Sequence, residues 1–218
     1  MSRAYTPRTP AQVSCRVVQD IPEGAVVNLG IGRPMDIANH LPADREIILQ
    51  SENGLLGMGP QARGRDIDPE LVNAGKQHVT LLPGGSIFHH GDSFTMIRGG
   101  HIDICVLGAF QVSVTGDLAN WRTLDPDAIP AVGGAMDLAY GARQIFVVMD
   151  HLTREGASKL VSRCSYPLTG VGVVDRIYTD LATLAVVAGG LAVIDRVDGL
   201  SHPALEALTG MALLQGLT

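Results

Sequence analysis

Glu52 stands in the run Gln50-Ser51-Glu52-Asn53-Gly54, directly after the apolar stretch Ile47-Ile48-Leu49, whose composition predicts a buried strand. Asn53-Gly54 is a pair suited to positive φ, so the backbone turns as soon as the carboxylate has been presented. The end of a buried strand in an open α/β sheet is where ligand crevices form. A carboxylate there can attack a carbonyl if it is ionised, and it reacts best when stripped of water and held against its target. On spacing alone, a carboxylate that bonds the amides of its own turn is the commoner arrangement.

Asn28 lies in a second apolar stretch, Ala25 to Leu29, just before Gly30-Ile31-Gly32. Its amide points toward the same end of the sheet as Glu52 and can donate to an oxyanion, although an Asn satisfying loop carbonyls is the more ordinary reading. Gly133-Gly134 opens an apolar helix beginning at Ala135, where first-turn amides have no partner within the helix. Lys76, beside Gly75, reads by itself as a solvated surface residue. Gly30-x-Gly32 is half of a dinucleotide fingerprint, and Met35 occupies the place of the third glycine, so that signal is weak. His89-His90 lacks metal-ligand spacing and no metal is expected; His101 and His151 read as structural.

The elements that must position these residues follow from the apolar pattern. Thr9 and Pro10 start a helix with Val13, Val17 and Val18 on its face. Strands are expected over Ala25–Leu29, up to Glu52, His78–Leu82, Ile102–Leu107, Phe110–Val114, Gln144–Met149, Lys159–Val161, Ile177–Val187 and Leu191–Asp195. Helices are expected over Pro34–His40, Asp92–Arg98, Ala135–Ala142 and from Ser201 to about Leu214, with a short helical piece over Glu70–Lys76. Residues 57–69 read as a surface loop, Pro83-Gly84-Gly85 as the end of a strand, and Ser113 to Pro130 as irregular. Hydrophobic residues form 46% of the 218, charged residues 17% and aromatics 4%, with 26 glycines. That mixture suits a mainly parallel sheet flanked by helices, within one domain over residues 1–218.

The net charge of −6 argues against nucleic acid or an anionic membrane as partner. Cys15, Cys105 and Cys164 are scattered and odd in number, which indicates neither a disulfide framework nor a zinc site. Met1 to Pro10 has no apolar core of signal-peptide length, and a cytoplasmic setting is the default.

Ser51 to Pro60 resembles the signature of the small, B-type chain of the glutamate-dependent CoA-transferases. The likeness extends through Val27-Asn28-Leu29-Gly30-Ile31-Gly32, Asn73-Ala74-Gly75-Lys76, Ile97-Arg98-Gly99-Gly100-His101, Gly116-Asp117-Leu118-Ala119-Asn120-Trp121 and Gly133-Gly134-Ala135-Met136-Asp137. The resemblance implies a three-layer α/β/α fold with a mainly parallel open sheet. It implies Glu52 as nucleophile, Asn28 with Gly134 and Ala135 as the oxyanion hole, and Lys76 as a CoA contact. An A-type CoA-transferase partner would complete the enzyme, as an A2B2 heterotetramer or a heterodimer. CoA would pass from succinyl-CoA to a 3-oxoacid, 3-oxoadipate ahead of acetoacetate or acetate, through a glutamyl-CoA thioester and with no further cofactor. The same type of fold also serves non-catalytic sensors of small ligands. The chain departs from the pattern at Arg33 and Met35, which flank Pro34 where a Pro-Thr pair is expected; Arg33 lies near the presumed site and bears on which acid is accepted.

Overall fold

The structure is a computed structural model that describes residues 5–131 and 133–216. Residues 1–4, part of the stretch considered above for a signal-peptide core, lie outside it. Helix α1 (Pro10–Asp20) opens with a reciprocal capping box between Thr9 and Gln12, which satisfies first-turn donors. Its buried Val13, Val17 and Val18 fall on one face, each contributing roughly 1.5–3 kcal/mol by leaving water.

The strands β1 (Val26–Leu29), β2 (Ile48–Ser51), β3 (Leu55–Gln61), β4 (Val79–Ile87) and β5 (Ile104–Gly108) belong to one ten-stranded sheet. So do β8 (Gln144–Val148), β10 (Arg176–Tyr178), β11 (Ala182–Val187), β12 (Gly190–Arg196) and β13 (Leu214–Gln215). The order is β13-β12-β11-β10-β8-β5-β1-β2-β3-β4. The five central strands β10, β8, β5, β1 and β2 run parallel; β3 and β4 extend one edge antiparallel, and on the other β11 and β12 pair antiparallel before β13 joins β12 in parallel. A small separate sheet joins β6 (Gln111–Ser113), β7 (Leu118–Ala119) and β9 (Leu160–Val161).

Two cores lie on opposite faces of the sheet, and the alternation along β5 explains why. Ile104 and Val106 enter one core with α1, whereas Cys105 and Leu107 enter the other. That second core holds Ile97 of α2 (His90–Arg98), Leu138 of α3 (Ala135–Gly141) and Leu205 of α4 (His202–Thr209). With both faces covered, these strands read as unbroken apolar runs, and the layering is α/β/α.

Several elements differ from the sequence reading. Residues 57–69 do not form a continuous loop: β3 runs to Gln61, and register shifts after Leu56 and Met58 conceal its period. Strand β4 continues through Pro83-Gly84-Gly85 to Ile87. It is an edge strand, and opposite Gly57 the pairing bulges, so Pro83 removes no ladder bond there. Arg33–His40 is a 3-10 rather than an α-helix, with buried Pro34 and Ile37 three residues apart on its inner side. Glu70 to Lys76 is turn rather than helix. The last helix stops at Thr209 because Gly210 takes the left-handed conformation at φ +75°. Ile177 to Val187 divides into the antiparallel pair β10 and β11, and β11 pairs antiparallel with β12 around Gly189-Gly190.

Candidate active site

Glu52 opens a three-residue loop between antiparallel β2 and β3, since Ser51 pairs directly with Leu55. Gly54 closes that loop at φ +116°, and a Cβ there would overlap the Phe88 carbonyl oxygen, so only glycine fits. The Gly54 N–H donates to the Ser51 carbonyl at 2.9 Å, and the Gly54 carbonyl accepts from Phe88 N–H at 3.0 Å. A second loop is tied to the same place. The Ala74 N–H donates to Ser51 Oγ at 3.0 Å, and Asn53 Nδ2 donates to the Val72 carbonyl at 2.7 Å.

The Glu52 side chain is half-buried and, among the described residues, makes no hydrogen bond and no ion pair. Burial pushes its pKa up; His90 nearby opposes the rise and Asp137 reinforces it. Asp137 is itself held by Arg98 at 2.8 and 3.2 Å. Gly134 caps α3 directly over the carboxylate: a Cβ on it would lie 2.7 Å from Glu52 Oε2 and 2.8 Å from Phe94 Cζ. His90 packs on Phe94 with ring centroids 4.8 Å apart, whereas His89 caps α2 by accepting from Gly91 N–H. The two adjacent histidines therefore have different surroundings.

Glu52 and Gly134 lie on the wall of a cavity of about 460 Å³ along the C-terminal ends of β2, β1, β5 and β8. Ala135, Ile31, Leu107, Phe110 and Met149 line it with Arg33, Asp150 and Lys159. The structure thus brings together Glu52, Gly134, Ala135 and Arg33 from among the residues picked out in the sequence.

Asn28 and Lys76 are not part of the cavity wall. Asn28 is fully packed between β2 and β5, where its Nδ2 donates to Gln50 Oε1 at 2.5 Å and its Oδ1 lies 3.7 Å from Cys105 Sγ. Gln50 Nε2 in turn donates to Ser93 Oγ at 2.6 Å. This buried polar chain crosses four elements, β5, β1, β2 and α2, and its Gln50 directly precedes Ser51 and Glu52. Lys76 is exposed, at φ +63° on the turn that Asn73 Oδ1 organises by accepting from Gly75 and Gln77 N–H. That turn is the one anchored to Ser51, and Met35 packs on its Gly75 so closely that a Cβ there would overlap the sulfur.

Sequence reasoning did not find Lys159 or Asp150. The available signal for Lys159 was a cation at the head of an apolar strand, Leu160-Val161, rather than in the preceding polar turn. His151 is buried and bonded to the Thr179 and Thr209 hydroxyls, in keeping with a structural role.

Fold and cavity together define an α/β domain whose parallel strands end at a ligand-sized space, with a carboxylate on its wall that has no partner among the described residues. The profile of the family described as coenzyme A transferase matches residues 12–198, and the chain belongs to that family. It is 59% identical over 211 residues to the B-type chain of 3-oxoadipate CoA-transferase from Acinetobacter baylyi, covering 97% of each chain. To the protein of the same name from Pseudomonas putida it is 60% identical over 204 residues, covering 94% of this chain and 95% of that one. A more distant relative is the B-type chain of succinyl-CoA:3-ketoacid coenzyme A transferase from Helicobacter pylori, 45% identical over 186 residues, covering 85% and 89%. Among solved structures, the acyl-CoA transferase YdiF of Escherichia coli O157:H7 superposes with a TM-score of 0.74 at 18% identity. The match covers 96% of this chain but spans only 42% of that longer one, and it speaks to the fold. Among the described residues no helix is long and apolar enough to cross a membrane.

Proposed function

We propose that this chain is the B-type half of a 3-oxoacid CoA-transferase that moves CoA from succinyl-CoA to 3-oxoadipate by way of a thioester on Glu52. The observation that carries this reading is the Glu52 carboxylate itself: half-buried, without a partner among the described residues, and at the wall of a cavity. Attack on the acyl-CoA carbonyl gives a mixed anhydride and the CoA thiolate. The thiolate returns to the glutamyl carbonyl, releasing the first acid and leaving glutamyl-CoA. The acceptor carboxylate then runs the same two steps in reverse. One thioester is exchanged for another, so neither ATP nor a cofactor beyond the CoA substrate is required.

Gly134 and Ala135 are assigned to the oxyanion. Their amides open α3, where no helical acceptor precedes them, and the carboxylate lies against Gly134. Asn28 is assigned to the same task through its second N–H, which has only a 3.4 Å contact to the Gln50 carbonyl. Lys76 is assigned to CoA. Its turn is anchored beside Glu52, and a cation there can reach a nucleotide phosphate while pantetheine leads inward. Binding of that remote nucleotide can be directed into the transition state.

The choice of 3-oxoadipate follows the relatives of that name at 59–60% identity, and acetoacetate is the second reading, after the more distant succinyl-CoA:3-ketoacid relative. An A-type partner is expected because these relatives are themselves subunits; we assign an A2B2 or AB assembly, a cytoplasmic setting and a single domain to this chain. A sensor of the same fold would have no use for a carboxylate that becomes covalently modified. The test is to copurify the chain with its A-type partner, add succinyl-CoA alone, reduce with borohydride and weigh the peptide bearing Glu52. Reduction to the alcohol with release of succinate is expected. An unmodified Glu52 in a complex that binds CoA would establish the sensor instead.

A further inference from the structure

Lys159 precedes β9 and lines the same cavity as Glu52. Its backbone is fixed on both sides: its N–H donates to the His151 carbonyl at 3.0 Å, and its carbonyl accepts from Val112 at 3.1 Å. Among the described residues its ammonium makes no hydrogen bond and no ion pair within 4 Å; burial holds its pKa below the usual lysine value, Arg33 adds to that, and the charges of Asp150 and Asp180 only partly oppose it. Both carboxylates are already engaged. Asp150 holds Arg33 in a two-point pair at 2.6 and 2.9 Å, and Asp180 accepts from the His151 N–H at 2.8 Å. Arg33 follows Gly32, whose φ of +94° swings the chain out of β1 toward Asp150.

From these placements we infer that Lys159, beside the Arg33–Asp150 pair, forms a subsite for the distal carboxylate of a dicarboxylic acyl group. The inference rests on the transferase reading of Glu52. A half-buried cation without a counter-ion is costly, and a substrate carboxylate supplies the missing partner. Between the two ends the wall is apolar, with Ile31, Leu107, Phe110, Leu138 and Met149, which suits the methylene body of such an acid. Glu52 follows β2 and Asp150 follows β8, with β1 and β5 between them, so the carboxylate and the Arg33–Asp150 pair stand at the ends of different strands. A monocarboxylic 3-oxoacid reaches Glu52 but leaves Lys159 without a partner, so the subsite favours the diacid.

The experiment uses the complex with the A-type partner and compares a 3-oxodiacid with a 3-oxomonoacid as acceptors. In a ping-pong exchange, kcat/KM for the acceptor reports only the half-reaction of glutamyl-CoA with that acid, so the donor's own distal carboxylate does not enter. Lys159→Met should lower the diacid-to-monoacid ratio of kcat/KM at least tenfold, mainly through KM, and Lys159→Arg should recover most of it. An unchanged ratio in Lys159→Met overturns the subsite. Should that variant assemble poorly, inhibition by adipate against butyrate is compared in wild-type and Lys159→Arg complexes; equal inhibition by the two acids in the wild type also overturns it. A wild-type complex that transfers CoA to neither acid removes the transferase reading and the subsite with it, a result distinct from an active complex with an unaltered ratio.

Discussion

Replacing Gly134 by alanine separates fold from chemistry at one atom. Gly134 has φ −72° and ψ 3°, a conformation open to alanine, so the backbone itself imposes no strain. The new methyl would stand 2.7 Å from Glu52 Oε2, whereas ordinary contact begins near 3.4 Å. The carboxylate must therefore retreat by about 0.7 Å. As the far end of a flexible side chain without hydrogen bonds, it can do so cheaply. Phe94 Cζ, 2.8 Å away, must yield in the same way. Lost capping preference and reduced freedom of the unfolded chain nearly cancel, leaving stability within about 1 kcal/mol.

Catalysis has no such tolerance. A misplacement of about 1 Å costs on the order of 100-fold when a nucleophile must meet a carbonyl in line, so 0.7 Å should cost roughly 10- to 100-fold in kcat. The assay is the rate of glutamyl-CoA formation in the assembled complex, followed by rapid quench and borohydride trapping, with thermal unfolding measured in parallel. We expect a Tm shift of about 4 °C or less together with the slow half-reaction. A Gly134→Ala complex trapping within threefold of wild type would refute the claim that this contact sets the nucleophile's position. A loss of rate accompanied by a large fall in Tm would show instead that the glycine serves packing.

Glu52→Gln should abolish trapping and lower turnover by about 10⁴-fold or more while assembly persists, because the nucleophile is gone. The raised pKa means that ionisation of Glu52 opposes folding above its folded value; the Gln variant should thus be at least as stable as wild type at neutral pH, with the difference vanishing in acid. For the same reason kcat/KM for acyl-CoA should fall on the acid side at a pH above that of an ordinary glutamate, and a limb at the ordinary value would contradict the burial described here. Lys76→Ala should weaken CoA binding and reduce its salt dependence; equal affinity in titrations at two ionic strengths would remove the assignment. His151, held down to about 4 by burial against an ordinary value of 6.5, is neutral in the fold. Its contribution is complete above the unfolded value and is lost as pH drops from 6.5 toward 4, by up to roughly 3 kcal/mol. His151→Gln should flatten the fall of denaturation midpoints across that window, and an unchanged slope would point to other groups.

The place of Glu52 at a strand's end was legible because three local signals coincide there: an apolar run, an acid where it ends, and a glycine able to take positive φ; its proposed role came from the family resemblance, since spacing alone favoured an ordinary turn carboxylate. Why Gly54 must be glycine was not legible, since the obstructing Phe88 carbonyl arrives from beyond β4. Asn28 could be placed on its strand from composition, but its bond to Gln50 depends on the register between β1 and β2, which no local pattern states. The interior of β3 was missed because bulges break its alternation, and the extent of β4 because Pro83 forbids a central strand but not an edge one. Lys159 escaped for a different reason. The role inferred for it depends on its having no ion pair among the described residues in a cavity that four strands create, and sequence order does not disclose strand order.

The loop that carries Glu52 explains why its carboxylate has no partner among the described residues. At β2 the sheet changes from parallel to antiparallel pairing, so the strand continues into a three-residue hairpin rather than a crossover. A longer loop could fold back and let its own amides solvate the acid, the arrangement that spacing alone would favour. Here the Gly54 N–H is committed to Ser51, and the Gly54 carbonyl to Phe88. Asn53 is turned away to the Val72 carbonyl, and Ser51 Oγ is occupied by Ala74. The groups of its own loop are thus held by other parts of the chain. Gly134 and Phe94 close over it without offering a side-chain hydrogen bond. A rigid short turn between two differently paired strands keeps the loop from solvating the acid and leaves it facing His90 and the start of α3.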